Sequence, residues 1–294
     1  MFFLLISLFL YKIESGEMKI LREGGKELIT FYGGVVVRDS NTLIKSPVAL
    51  YSQEEGVMEL SGPVQGVQGE RSLRCDFAKI YERERIFKGY GNCEITGVFE
   101  FLKCDSVILR KNELHAFGSV FLRSVKDSIE SNSEEVLLRK DLIEAKGNSS
   151  ITYFGGKDTV MLESKYYLYR DSVLYASSGV KITGKDFEGE GDSLVYMRSL
   201  RYAELLKNAW VRNSSTLIKG DAINLYLTEE NKIDRLVAFE LPSLFNREEG
   251  REIYLEGDSL YFYTEGTDRL KWFRASRVKG YYKEGTEDGS AEGN

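Results

Sequence analysis

Side chains able to do covalent or metal chemistry are scarce in this 294-residue chain. His115 is its only histidine, and Cys75, Cys93 and Cys104 are its only cysteines. A structural zinc site needs four such ligands, commonly in close C-x-x-C spacing, and a thiol nucleophile needs an imidazole beside it. The cysteines stand 18 and 11 residues apart, so neither arrangement has its material. Carboxylates are plentiful, and Asp76, Asp105, Asp192, Asp221 and Asp258 recur at similar spacing. A calcium ladder, or the acid/base pair of a polysaccharide-cleaving β-helix, would need several of them converging on one place. Each is the one aspartate of its segment, and Lys165 takes the same place in another copy. The chain also lacks a P-loop, a G-x-G-x-x-G before a helix and an H-E-x-x-H. These residues assign no catalytic group, metal or cofactor, and they argue against an enzyme.

The recurrence itself is the stronger signal. The segments Ser72–Tyr81 (SLRCDFAKIY), Phe101–Arg110 (FLKCDSVILR), Leu217–Tyr226 (LIKGDAINLY) and Tyr254–Tyr263 (YLEGDSLYFY) share one pattern: apolar, charged, small, Asp, variable, apolar, variable, apolar. Glu188–Met197, Thr42–Tyr51, Met161–Arg170 and a degenerate copy at residues 128–137 extend it. The marker positions read as Ser46, Asp76, Asp105, Asn132, Lys165, Asp192, Asp221 and Asp258, about 29 residues apart. Between them runs a second series, Gly62, Gly91, Gly118, Gly147 and Gly179, with Asn208 standing in for a sixth glycine. Each repeat is therefore two β segments joined by polar tips.

Parity inside the marker segment carries further information. Leu102 and Cys104 lie on one face of a strand, whereas Val107 and Leu109 have the opposite parity. All four can face a core only if the strand bulges near Asp105, which gives that aspartate a bland role in bonding at a kink. The expected inward apolar residues are Leu43, Val48, Leu50, Leu73, Ala78, Ile80, Leu102, Val107, Leu109, Leu162, Leu168, Leu194, Ile218, Ile223, Leu225, Leu255, Leu260 and Phe262. Such repeats bury an apolar face only by stacking, so an all-β domain of about sixteen strands in about eight stacked repeats is expected, with two facing walls. Leu200–Leu206 is the one stretch whose pattern admits a short helix. Cys75 and Cys104 occupy equivalent points of neighbouring repeats, as small buried thiols or as a pair open to oxidation.

Composition agrees with a many-stranded globular chain: 28 glycines, 3 prolines and 12% aromatic residues. The net charge of −6 arises from interspersed acids and bases, without the basic stripe that would follow a phosphate backbone, so no nucleic-acid partner is expected. The apolar run from Phe2 to Tyr11 is too short to span a bilayer and suits the core of a signal peptide, with Ser15–Gly16 a candidate cleavage point; an uncleaved anchor and a buried first strand are the alternatives. The chain thus reads as residues 1–15, a signal peptide or short anchor; 16–282, the repeat domain; and 283–294, a disordered tail without large apolar residues.

With the repeat defined, the stretch GNCEITGVFEFLKCDSVILRKNELHAFGSVFL (residues 91–122) resembles the OstA-like repeats of the lipopolysaccharide-transport proteins, the LptA family that includes LptC and the N-terminal periplasmic domain of LptD. The shared features are a Gly-Asn or Gly-Ser opening a V-x-V strand, a small-Asp motif and an aromatic some five residues on. The resemblance covers residues 28–280 and implies a β-jellyroll, or open β-taco, in the periplasm. Its apolar interior would carry the acyl chains of lipopolysaccharide or a related glycolipid. Edge strands would join it to other OstA-like transport components or head to tail to its own copies. No segment could build the outer-membrane barrel of full-length LptD, which favours a stand-alone LptA-like role, with an LptC-like one open. The period is longer than expected for the family. A repeat-built envelope scaffold or adhesin without a lipid groove is the structural alternative.

Overall fold

The computed structural model describes residues 12–284 apart from 24–25, 40, 98–99, 127, 155–158, 249 and 265–271. The apolar run Phe2–Tyr11 and the tail from residue 285 onward lie outside the described residues. The described chain is almost wholly antiparallel strand, and it divides into two compact units between Ser149 and Ser150.

In the first unit the strands are β1 (Lys12–Glu14), β2 (Glu17–Glu23), β3 (Lys26–Tyr32), β4 (Val35–Arg38), β5 (Thr42–Ser46), β6 (Val48–Ser52), β7 (Val57–Gln68), β8 (Arg71–Tyr81), β9 (Ile86–Thr96), β10 (Glu100–Arg110), β11 (Glu113–Ser124) and β12 (Ile129–Arg139); β13 (Leu142–Tyr153) runs across the division. They form a meander in which each traverse pairs with the next. β1 and β2 are halves of one traverse against β4 and β3, and β5 and β6 are halves of another, both paired with β7. Lys12–Glu14, the end of the segment read as a leader, thus pairs with Arg38–Val36.

The second unit continues with β14 (Val160–Arg170), β15 (Val173–Thr183), β16 (Glu188–Met197), β17 (Tyr202–Arg212), β18 (Thr216–Leu227), β19 (Ile233–Phe239), β20 (Ser243–Glu248), β21 (Arg251–Glu256), β22 (Ser259–Tyr263), β23 (Trp272–Ser276) and β24 (Lys279–Glu284). Here β19 and β20 share one traverse against β18, and β21 with β22 and β23 with β24 follow in the same way. The twenty-four strands among the described residues exceed the expected sixteen. The three traverses nearest each terminus are cut in two, at residues such as Gly33–Gly34, Pro47, Pro242 and Gly257, where proline lacks the ladder donor or glycine bends the chain. The first hairpin, which carries no marker, adds further strands. Leu200–Leu206 is not helical: a 3-10 turn at Arg198–Leu200 ends on left-handed Arg201, and β17 starts at Tyr202.

Each traverse is bent in its middle, as the parity of the marker segment requires. At the β7–β8 pairing Gly62 and Pro63 oppose the single residue Asp76, and equivalent register shifts recur along both meanders. Nine dipeptides occupy this position in the traverses that flank the markers: 33–34, 62–63, 91–92, 118–119, 147–148, 178–179, 207–208, 240–241 and 277–278, each with at least one positive φ. Leu102, Cys104, Val107 and Leu109 are consequently all buried, although their parity changes at Asp105. The markers act at the bend. Asn92 donates to Asp76 at 2.8 Å, Asn148 to Glu134 at 3.2 Å and Asn208 to Asp192 at 3.3 Å. Two marker assignments are thereby corrected. Glu134, not Asn132, faces the bend at Gly147, and Pro47, not Ser46, follows the buried small residue of the first copy. With these, the first three intervals are each 29 residues.

The bend makes Gly91 a sensitive position. Its φ is 70°, and a Cβ there would lie 2.6 Å from an Asp76 carboxylate oxygen and 3.0 Å from Asp76 Cβ. Gly91→Ala is expected to lower stability by about 1–3 kcal/mol in urea unfolding. Adding Asp76→Ala should recover only the part owed to the carboxylate, because the contact with the Cβ of residue 76 and the left-handed strain remain.

Candidate functional site

Apolar residues facing inward are the feature the repeat is built to supply. Leu73, Ala78, Ile80, Leu102, Val107, Leu109, Leu162, Leu194, Ile218, Ile223, Leu225, Leu260 and Phe262 are buried. Leu43, Val48, Leu50, Leu168 and Leu255 are only half-buried. In the first copy the shift to Pro47 turns Ile44 and Ala49 inward instead of Leu43, Val48 and Leu50. In the copy marked by Lys165, Tyr167 takes the inward place beside Leu168. Leu255 lies on β21, whose partner β24 is exposed throughout. A side chain on one face of a single open sheet cannot reach zero exposure, as Leu60, Ala78, Val107 and Ala116 do in the first unit and Ile223, Leu225 and Leu260 do in the second. Within each unit the two halves of the bent strands therefore cover one another, and the line of bulges is the fold.

In the second unit the free ends of the two halves form lips that meet. One lip comprises the end of β13 and the turns at 184–187 and 213–215; the other comprises the turns at 198–201 and 228–232 together with Thr264. Arg198 Nε donates to Tyr153 Oη at 3.2 Å, and its guanidinium lies 5.0 Å from the Tyr153 ring centre, joining the lips. The Tyr153 and Tyr196 rings are 6.4 Å apart. Further along, Lys185, Asp186, Phe187 and Asn213 of one lip enclose a crevice of about 30 Å³ with Asn231, Lys232, Ile233 and Thr264 of the other. A second crevice of about 30 Å³ lies beneath, lined by Val211, Ile218, Leu236 and Phe262 among others. Outside them, between the 184–187 and 213–215 turns, is a hollow of about 410 Å³ bordered by Thr183, Lys185, Asp186, Phe187, Glu188, Arg212, Asn213 and Ser214. Asn213 borders all three spaces. Its carboxamide oxygen accepts from the Ser215 and Thr216 amides at 3.1 and 2.8 Å, which fixes the turn. Arg212 pairs with Glu188 and lies 5.4 Å from the Trp210 ring centre.

The cysteines and the histidine are structural in their surroundings. Cys93 of β9 faces Cys104 of β10 in register, with Cys75 on the adjacent strand β8, and all three are buried free thiols. Cys93 therefore stands between the two cysteines expected to be neighbours. A hydrogen bond with Cys93, then burial, holds the Cys75 thiol far above its usual range; Cys104 and burial push Cys93 up to about 12. Thiols so held stay protonated and are poor nucleophiles. His115 bonds Glu135 at 2.6 Å and lies against Phe117, a half-buried cross-strand contact. Among the described residues no group of three or more His, Cys, Asp or Glu side chains is placed to hold a metal, and no helix is long and apolar enough to cross a membrane.

The terminal strands are exposed and carry apolar residues: Met18, Ile20 and Leu21 on β2, and Phe273, Tyr281 and Tyr282 on β23 and β24. These strands, and the lips, were invisible to a periodicity argument. The one local signal for the lips is an aromatic in a tight polar turn, Gly184-Lys185-Asp186-Phe187, with Phe187 buried.

The lip contact has a consequence in alkali. Burial, assisted by Tyr153, raises the Tyr196 phenol from its ordinary 10 to about 12. The folded chain then holds this proton more tightly than the unfolded one. Stability from this group is complete below pH 10 and falls as the pH rises toward 12. Urea midpoints across that range should fall less steeply in Tyr196→Phe than in the parent chain.

No family model matches the chain, and no curated protein matches it. Among solved structures the chain is similar to LptH of Pseudomonas aeruginosa, described as the LptA homologous periplasmic component of the conserved lipopolysaccharide transport device, with 15% sequence identity, coverage of 34% of this chain and 76% of that one, and a TM-score of 0.32.

Proposed function

We propose that the chain is an exported, non-enzymatic lipid carrier that holds the acyl chains of lipopolysaccharide or a related glycolipid between its bent walls and conveys them across the periplasm. The observation that carries this is an interior with apolar residues at every level, interrupted by Ser131 and Ser133 in one copy, and bordered, in the second unit, by polar lips with narrow apolar crevices beneath them. An acyl chain gains about 0.8 kcal/mol for each methylene moved from water to such surroundings. Repetition keeps that gain similar from level to level, so a sliding chain meets no deep trap. The crevices are too small for an acyl chain, so loading requires the lips to part. The exposed apolar strands β2, β23 and β24 support edge-to-edge joining to other transport components or to further copies, because an unpaired strand edge accepts another strand.

The packed interior of the first unit favours a second reading, a scaffold without a groove, since Leu60, Ala78, Phe87 and Val107 leave no exposed surface there. A photo-crosslinking amino acid at Ile218, Phe262 or Val107, with Lys219 and Arg110 as outward controls, separates the two in cells that make lipopolysaccharide. The carrier yields glycolipid adducts from inward positions only. Adducts from none of them would establish the scaffold, and recovery of the protein in the cytosol would exclude both envelope roles.

A further inference from the structure

The outward faces of the walls are not alike. In the first unit the middle outward row, read in register from β7 to β12, is Glu59, Lys79, Lys88, Ile108, His115 and Leu137, with Lys79 paired to Glu59. In the second unit the wall that ends at the 184–187 and 213–215 turns carries Glu163, Lys181, Glu190, Trp210 and Lys219 in register. Its charges alternate in sign on either side of the tryptophan, as a solvated antiparallel face should. The other wall of that unit, which ends at the 198–201 and 228–232 turns, departs from this. Its middle outward row, across β15 to β19 and β22, is Tyr175, Val195, Glu204, Asn224, Val237 and Tyr261. The row beside it is Val173, Met197, Tyr202, Tyr226, Arg235 and Tyr263. Neither row contains a lysine or an aspartate.

These side chains lie against one another. The Tyr202 and Tyr226 ring centres are 5.2 Å apart, the Arg235 guanidinium is 3.9 Å from the centre of Tyr226, and Phe239 of the next row is 6.3 Å from Tyr261. Val237 is only 5% exposed, although it faces outward between the inward Leu236 and Ala238. Tyrosine, methionine and arginine without lysine is the composition of a protein interface, and side chains already ordered lose little freedom on docking. Glu204 has only Val195 and Asn224 as its cross-strand neighbours. Asn224 Oδ1 and Arg235 Nε are buried without a hydrogen-bond partner among the described residues, whereas buried polar groups are ordinarily bonded. Tyr166 and Leu168 of β14 extend the face to seven strands. With strands about 4.8 Å apart and three outward rows about 6.7 Å apart, it covers about 700 Å². A stable interface takes about 800 Å² from each partner, so the face has the size that a dimer needs.

We propose that this face docks on the same face of a second copy of the chain, sheet against sheet, as a closed two-fold dimer. Sheets packed in this way lie about 10 Å apart with their strands within about 30° of one another. A two-fold axis along β18 sets β17 of each copy over β19 of the other. Each Glu204 then stands over the second copy's Val237, within an arginine's reach of its Arg235, and the symmetry makes this contact twice. The face is thus complementary in charge to itself, whereas the absence of lysine from its rows offers an anionic bilayer little to hold. The pairing uses faces and leaves strand edges free, so it is separate from edge-to-edge joining and holds for the carrier and the scaffold alike.

Sedimentation of the full chain tests this, with charge reversals at the two contacts. The parent is expected to form a dimer. Glu204→Arg sets arginine against arginine and Arg235→Glu sets glutamate against glutamate, so each alone should weaken the dimer about tenfold or more. An equimolar mixture of the two variants makes both contacts attractive again and should restore the dimer, which no contact within one chain can do. Glu204→Gln, which removes the charge with little change of shape, should weaken the dimer severalfold and serves if a reversal unfolds the chain. A parent that stays monomeric overturns the proposal, whether or not the face then proves to bind phosphatidylcholine vesicles. Association that none of the variants weakens places the contact at the strand edges and overturns it too. Variants that weaken association and are not restored by mixing overturn the two-fold pairing.

Discussion

A β-strand shows alternate residues to opposite faces, so a strand that must bury both of its halves on one side has to break that alternation once. In this chain the marker strands make that break, each opposite a two-residue bulge in its neighbour, and the interior depends on it. Without the break, Val107 and Leu109 would point away from Leu102 and Cys104, and half of every repeat's apolar surface would face water. The left-handed dipeptides bend one strand, the small-Asp motif shapes its neighbour, and amides such as Asn92 and Asn208 bond the two together.

How much of this was legible in the sequence follows from the same geometry. The bend was visible because a parity change at a fixed distance from a small-Asp pair is a local signal, repeated often enough to stand out. Where a copy departs from the pattern, the signal slips by a residue or two. Ser46 reads as the marker because Pro47 does not resemble an aspartate, and one residue of slip puts Leu43, Val48 and Leu50 in the inward places that Ile44 and Ala49 hold. Asn132 reads as the marker in place of Glu134 because the inward places of that copy are held by Ser131 and Ser133 rather than by a leucine and a cysteine. At Leu168, hydrophobicity alone could not tell an aliphatic residue from the tyrosine beside it.

The lips were not legible for a different reason. Their members, Tyr153, Phe187, Arg198, Asn213, Lys232 and Thr264, come from turns and strand ends that recur with the repeat but share no residue type, and they meet only because the sheet is folded over. The bend that unites the interior also brings distant turns face to face, so the residues with the most specific surroundings are those with the weakest sequence signature. The aspartates, by contrast, were conspicuous and serve the backbone.

Because every second strand carries its own bend, the architecture is modular in a quantitative sense. The interval from Asp76 to Asp105 is 29 residues, and it holds one marker strand, one bulged strand and the turns that join them. Removing such an interval in evolution would take out an even number of antiparallel strands, preserve chain direction on both sides of the cut, and join a bulge-facing residue to its own equivalent. Gene duplication or loss in whole repeats would then change capacity without rewriting the fold, whereas an insertion of a single residue within a strand would reverse the facing of everything as far as the next bend.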